Sequence, residues 1–308
     1  MVMGNHDDLA PSITSRRSLI EHDMTHTLSP SQLGPDHLPG VSNYAIPRCS
    51  ERHDCHGHSR TCVCVSSSAV GMLYMLDSGG GSIEEAIHPS QVQWISRLLR
   101  QNRGIPAIVF MHIPLPAYAD AWKYGNRPHP PPHPHPHLHL HLHPHLHLQP
   151  HPLPHPRPHS ELYTGDCQGS KFDEINAVSS NIFATQLMDV LSSNADVKIL
   201  LSVGHDHGND FCCHYRQLQL CFGKHSGYGG YGTWRRGARV FQFADGDGDG
   251  IKTWIRMENG DILHQPKVDV ISSNLGYNEF WIVPRPTISA TASTISITTT
   301  TASILTDS

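Results

Sequence analysis

The sequence predicts an α/β fold, a β-sheet covered on its faces by helices, and three observations carry that expectation. Short continuous apolar runs, VGMLYML (70–76), IPAIVFMH (105–112) and VKILLSV (197–203), have the length and composition of strands buried on both faces. Between them, PSQVQWISRLLRQN (89–102) and SSNIFATQLMDVLSS (179–193) space their apolar residues as helices do. Polar, chemistry-bearing residues then gather where the apolar runs stop, which is where open α/β sheets place their ligand sites.

In chain order, MVM at the start reads as the last residues of a strand, followed directly by Gly4-Asn5-His6-Asp7. The run 70–76 ends at Asp77 and a Gly cluster. The helix over 89–102 opens with Pro89, which suits a first helical position, and turns Val92, Ile95, Leu98 and Leu99 to one side. The run 105–112 ends at His112. The helix over 179–193 places Ile182, Phe183, Leu187, Val190 and Leu191 on one face. The run 197–203 ends in Gly-His-Asp-His, with His205 and His207. RVFQF and KTWIRM then read as a hairpin joined by DGDGDG (245–250).

Three stretches supply no core. CSERHDCHGHSRTCVC, inside a Cys/His-rich loop at 48–68, holds four cysteines and three histidines. Its thiol spacings do not fit the pairs of a zinc site, so a solvated insertion is expected. Residues 129–159 form a His/Pro tract with interleaved Leu, extended and solvated because proline removes backbone donors. The Ser/Thr-rich tail at 287–308 is expected to be disordered.

Composition narrows the function. Lys+Arg 22 against Asp+Glu 27 gives a net charge of -5, which argues against a nucleic-acid partner. No apolar run approaches the ~18 residues of a membrane span. The 26 histidines are the anomaly. The eight cysteines leave disulfides, free thiols and a metal site all open.

Three apparent strand ends thus deliver Asn5, His6, His112, His205 and His207 toward one crevice. Imidazole and amide oxygen suit transition metals such as Zn, Fe or Mn. Two ions about 3.5–4 Å apart clamp the attacking and leaving oxygens of a phosphoryl transfer.

GNHD, then VFMH, then GHDH resembles the last three motif blocks of the calcineurin-like metallophosphoesterases. SRRSLIEHD, GPDHLPGVSNYAIP, LYMLDSGGG, HIPLPAY, GHDHGNDFCC and GYGGYGTWRRGAR narrow the likeness to the purple-acid-phosphatase-like branch of plants and fungi. The resemblance implies a sandwich of mixed β-sheets flanked by helices, spanning residues 1–286. It implies a phosphomonoesterase that uses two divalent or trivalent ions, Fe, Zn or Mn, on a phosphorylated small molecule or protein. By the same resemblance, Asn5, His112 and His205 would bind one ion and His207 the other. His6 would serve the leaving oxygen, with Asp7 orienting it, and His225 in GKHSGYGGYG (223–232) would approach the substrate.

The family's two earlier blocks, Asp-x-His or Asp-x-Gly and Gly-Asp-x-x-Asp or Gly-Asp-x-x-Tyr, would precede GNHD. Gly165-Asp166 and DGDGDG both follow it. The expectation is therefore a chain that starts inside the domain, without its first strands. Such a chain would hold one ion weakly at most and be impaired or inactive as a hydrolase. The competing expectation is a non-catalytic metal-binding scaffold organised around the His/Pro tract, whose alternating imidazoles suit Zn, Cu or Ni. DGDGDG imitates the start of a calcium loop, but the twelfth position holds Arg256 where such loops need Glu, so a hairpin turn is expected.

Overall fold

The computed structural model describes residues 1–8, 14–49, 69–125, 167–179, 181–193, 198–243 and 251–264. The His/Pro tract, the DGDGDG turn, the tail and nearly all of the Cys/His-rich loop lie outside the described residues.

Helix α1 (Arg16–Met24) precedes strand β1 (Tyr44–Cys49) and strand β2 (Ala69–Met75). Helix α2 (Pro89–Gln101) and strand β3 (Ala107–Phe110) follow, then α3 (Ala117–Gly125) and the two-residue β4 (Cys167–Gln168). After α4 (Ile182–Ser192) come β5 (Ile199–Val203), β6 (Cys212–Tyr215) and β7 (Leu218–Phe222). The hairpin strands β8 (Gly237–Phe243) and β9 (Ile251–Met257), with β10 (Ile262–Leu263), end the described chain.

Seven strands form one sheet in the order β1-β2-β3-β5-β7-β6-β4, and β10-β9-β8 form a second. In the large sheet β2, β3, β5 and β7 run parallel, while β1 and β6 pair antiparallel at their flanks. Alternation along β3 shows the layering, since successive side chains of a strand face opposite ways. Ala107 and Val109 join the core under α2, α3 and α4, with Tyr74, Ile95, Tyr118, Leu187 and Leu201. Ile108 and Phe110 face the other way, into a core with Met3, Ile20, Leu73, Leu200, Phe241 and Phe243. The rings of Phe110 and Phe241 meet edge-on at 5.5 Å, joining the large sheet to the small one. Gly71 leaves room for Phe243, whose ring would lie 2.5 Å from a Cβ at that position. This is an α/β sandwich of a mixed sheet with α2, α3 and α4 on one face and a second sheet, together with α1, on the other.

Helix α2 begins as the sequence suggests. His88 caps it by accepting from the Ser90 amide, and the Gln91 side chain returns to the His88 amide at 2.9 Å. Residues 1–4 are not a strand. Met3 is instead fully buried as an apolar plug in the second core.

Two disulfides sit side by side: Cys167–Cys213 joins β4 to β6, and Cys212–Cys221 joins β6 to β7. Adjacent residues of a strand face opposite ways, so Cys212 and Cys213 cannot share a partner on one face. Each closes a chain loop of different length, 46 and 9 residues apart in sequence. Loop-closure entropy then predicts that C167S/C213S loses about 4 kcal/mol and C212S/C221S about 2.5 kcal/mol. Guanidinium unfolding of the two double variants checks that order, and equal losses would contradict it.

Candidate metal centre

The parallel strands aim their carboxyl ends at one rim, and each delivers a polar group there. Asp77 to Gly80 follow β2, His112 follows β3, His205 follows β5, and Lys224 and His225 follow β7. The Gly204 amide donates to the His112 carbonyl at 3.0 Å, tying the ends of β3 and β5 together. His205 has φ 66, a left-handed backbone that a non-glycine residue keeps only where its surroundings fix it.

The Gly4–Asp8 turn reaches this rim from the other side of the fold, and Arg16 holds it. The buried guanidinium donates to Asp8 Oδ1 at 3.1 Å, to Asp77 Oδ1 at 3.0 Å and to the Gly4 carbonyl at 3.0 Å, and it also reaches the carbonyls of Gly79 and Gly80. Asn5 is thereby set against His112.

Three donor atoms converge. Asn5 Oδ1 lies 2.9 Å from His112 Nε2, which lies 3.3 Å from His205 Nδ1. Ligands about 2.0–2.1 Å from a tetrahedral ion stand about 3.3 Å from one another; the two imidazole nitrogens have that separation, and the amide oxygen stands closer to His112. Burial pushes the His112 imidazole well below the usual histidine range, with the neighbouring His205 adding to the effect. Burial also lowers His205, against an opposing pull from Glu85. Once the proton between His112 Nε2 and Asn5 Oδ1 is released, both neutral imidazoles present lone pairs, and the donor chemistry fits a transition metal. Among the described residues no group of three or more His, Cys, Asp or Glu side chains converges as a metal site. The converging set is two imidazoles and one amide.

The other expected residues surround this set. His207 is held by Tyr231, whose ring stacks on the imidazole with centroids 4.2 Å apart. The Tyr231 hydroxyl accepts from the His207 amide at 3.0 Å and donates to Asp173. The Tyr231 carbonyl faces His207 Nδ1 at 3.3 Å, which assigns the ring proton to Nδ1 and leaves Nε2 as the lone-pair donor. His225 packs against His207 at 4.4 Å and lines, with Lys224 and Asp206, a cavity of about 20 Å³. That volume holds about one water, so a substrate would approach from the open rim instead. His6 is exposed. The Asp7 carboxylate accepts from the Gly4 amide at 2.6 Å and closes the turn, instead of bonding to the His6 ring.

Sequence reasoning did not single out Arg16, Glu85, Asp173 or Tyr231. The Gly cluster at 79–81 was the one available signal, since it marks a tight approach of two loops.

Asp206, between the two histidines of the motif, is buried and accepts from the Asn176 amide and side chain. Burial, partly offset by these bonds, raises its carboxyl to about 7. The folded chain thus holds this proton more tightly than the unfolded chain does. The resulting stability is complete below about pH 4 and is lost as pH rises through about 7. Metal-free D206N should therefore gain on the parent chain in thermal unfolding between pH 4 and 7.5, with no gain below that window.

No family model matches the chain. Three curated relatives of Arabidopsis thaliana align with 84% of it. They are probable inactive purple acid phosphatase 29 (27% identical over 290 residues), number 28 (26% over 288) and number 14 (25% over 292). The chain spans about 60% of their length.

Proposed function

We propose that this chain, which is related to the purple-acid-phosphatase-like branch of the calcineurin-like metallophosphoesterases, binds a divalent metal ion and phosphorylated ligands at its strand-end rim. We further infer that the 308-residue chain hydrolyses such esters poorly or not at all. The observation that carries the reading is the convergence of Asn5 Oδ1, His112 Nε2 and His205 Nδ1. An ion there would polarise a phosphoryl oxygen and lower the pKa of a water.

The chain's own residues have narrower tasks. Asn5, His112 and His205 hold the ion. His207, its Nδ1 engaged by Tyr231, offers Nε2 to the phosphate side of the site. His6, exposed beside the cluster, donates a hydrogen bond or a proton to the leaving oxygen. Weak turnover is supported by the names of the relatives, each a probable inactive purple acid phosphatase. It is supported also by the donor set, in which no carboxylate joins the imidazoles among the described residues.

The test pairs metal binding with turnover. Equilibrium dialysis with Mn²⁺ should find a site that H205A loses, and a generic phosphomonoester should be hydrolysed no faster than in buffer. Robust turnover would overturn the inactivity, and retention of the ion by H205A would overturn the site.

A further inference from the structure

The site lacks a carboxylate among its converging donors, yet one stands immediately behind them. Asn5 Nδ2 donates to Glu85 Oε1 at 3.3 Å, across 80 positions of sequence. An amide has one oxygen and one nitrogen end, so a carboxylate on the nitrogen commits the oxygen to the opposite side. There Asn5 Oδ1 meets His112 Nε2.

The backbone holds Glu85 at this place. Its carbonyl accepts from the Ser179 amide at 2.9 Å. Gly80 and Ile83 exchange backbone hydrogen bonds, which closes the turn leading to it. Gly80 is left-handed at φ +97, and a Cβ there would lie 2.2 Å from Asn5 Cβ and 3.2 Å from Glu85 Oε1. Only glycine lets the two side chains meet.

We propose that Glu85 is a positioning residue of a one-ion centre: it fixes the Asn5 amide with Oδ1 toward the ion. The proposal rests on the reading that Asn5, His112 and His205 hold a metal. Groups that orient a metal ligand in this way typically change affinity 10–100-fold when removed. Glu85 is itself exposed, so its substitution leaves the fold intact.

The experiment titrates the full chain with Mn²⁺ by electron paramagnetic resonance. Mn²⁺ stands lowest in the divalent affinity series, so it is the ion least drawn to the many histidines of the His/Pro tract. E85A should weaken binding about tenfold or more. E85Q should recover most of that loss, because its amide oxygen still accepts from Asn5. In an N5A background E85A should add nothing, since its effect passes through Asn5. Metal-free E85A should unfold at the temperature of the parent.

If E85A binds as tightly as the parent while H205A loses the ion, Glu85 is idle and the metal reading stands. An E85A loss of the same size with and without Asn5 also overturns the positioning role. If H205A keeps the ion, the metal reading fails and the proposal fails with it.

Discussion

Replacing Arg16 with methionine is expected to cost about 3–5 kcal/mol of folding stability, the usual penalty for removing one member of a buried ion pair. The guanidinium side chain is 5% exposed, and the Asp77 side chain that it faces is fully buried. Methionine fills much of the space but leaves Asp77 with amide donors alone, from Val41 and Gly79. Burial already raises the Asp77 carboxyl, and Arg16 is the main opposing influence. Without it that carboxyl rises further, so the deficit of R16M should shrink as pH falls and Asp77 takes up a proton. Lysine should rescue only in part, because one ammonium cannot replace a planar fork that serves two carboxylates and three carbonyls. Urea unfolding at pH 7 and pH 5 reads both effects. A variant within 1 kcal/mol of the parent at pH 7 would mean that Arg16 is not the clamp of the Gly4–Asp8 turn.

The difference between what was legible and what was not follows the same clamp. Strands β2, β3 and β5 are continuous apolar runs, and α2 and α4 are clearly amphipathic, so their places could be read within a few residues. The hairpin β8–β9 was equally plain. Strands β6 and β7 escaped because CCHY and LQLCF are short, and their identity comes from pairing across the sheet. β1 contains Pro47, which a strand accepts at a sheet edge, where β1 lies. α1, RRSLIEHDM, is mostly polar and buries only Arg16 and Ile20, so its helical pattern has almost no apolar side. The disulfide partners could not be deduced, since spacing alone leaves every pairing open.

At the site, Asn5, His112 and His205 stood out because each follows a glycine turn or an apolar run. Their supports did not, because each acts across long stretches of chain: Arg16 on Asp77, Glu85 on Asn5, Asp173 on Tyr231. The residues proposed to hold the ion have a local signature, whereas residues that orient them acquire meaning only when the chain folds.

Gly80→Ala should separate the site from the fold most sharply. At φ +97 any side chain strains the backbone, by about 1–3 kcal/mol. The added Cβ would also lie 2.6 Å from Asn5 Cα, against backbone rather than a flexible side-chain end. One of the two loops must move, and either movement changes the place of Asn5 relative to the loop that carries Glu85. The consequence is a displaced amide oxygen, with Mn²⁺ affinity falling about tenfold or more. Gly104→Ala is the matched control. It has φ +85 but no atom within 4 Å of its Cβ position, so it carries the backbone strain without the collision. Its stability should fall by a comparable amount while its metal affinity stays that of the parent. Equal affinities in the two variants would show that the loop after β2 does not set the position of Asn5.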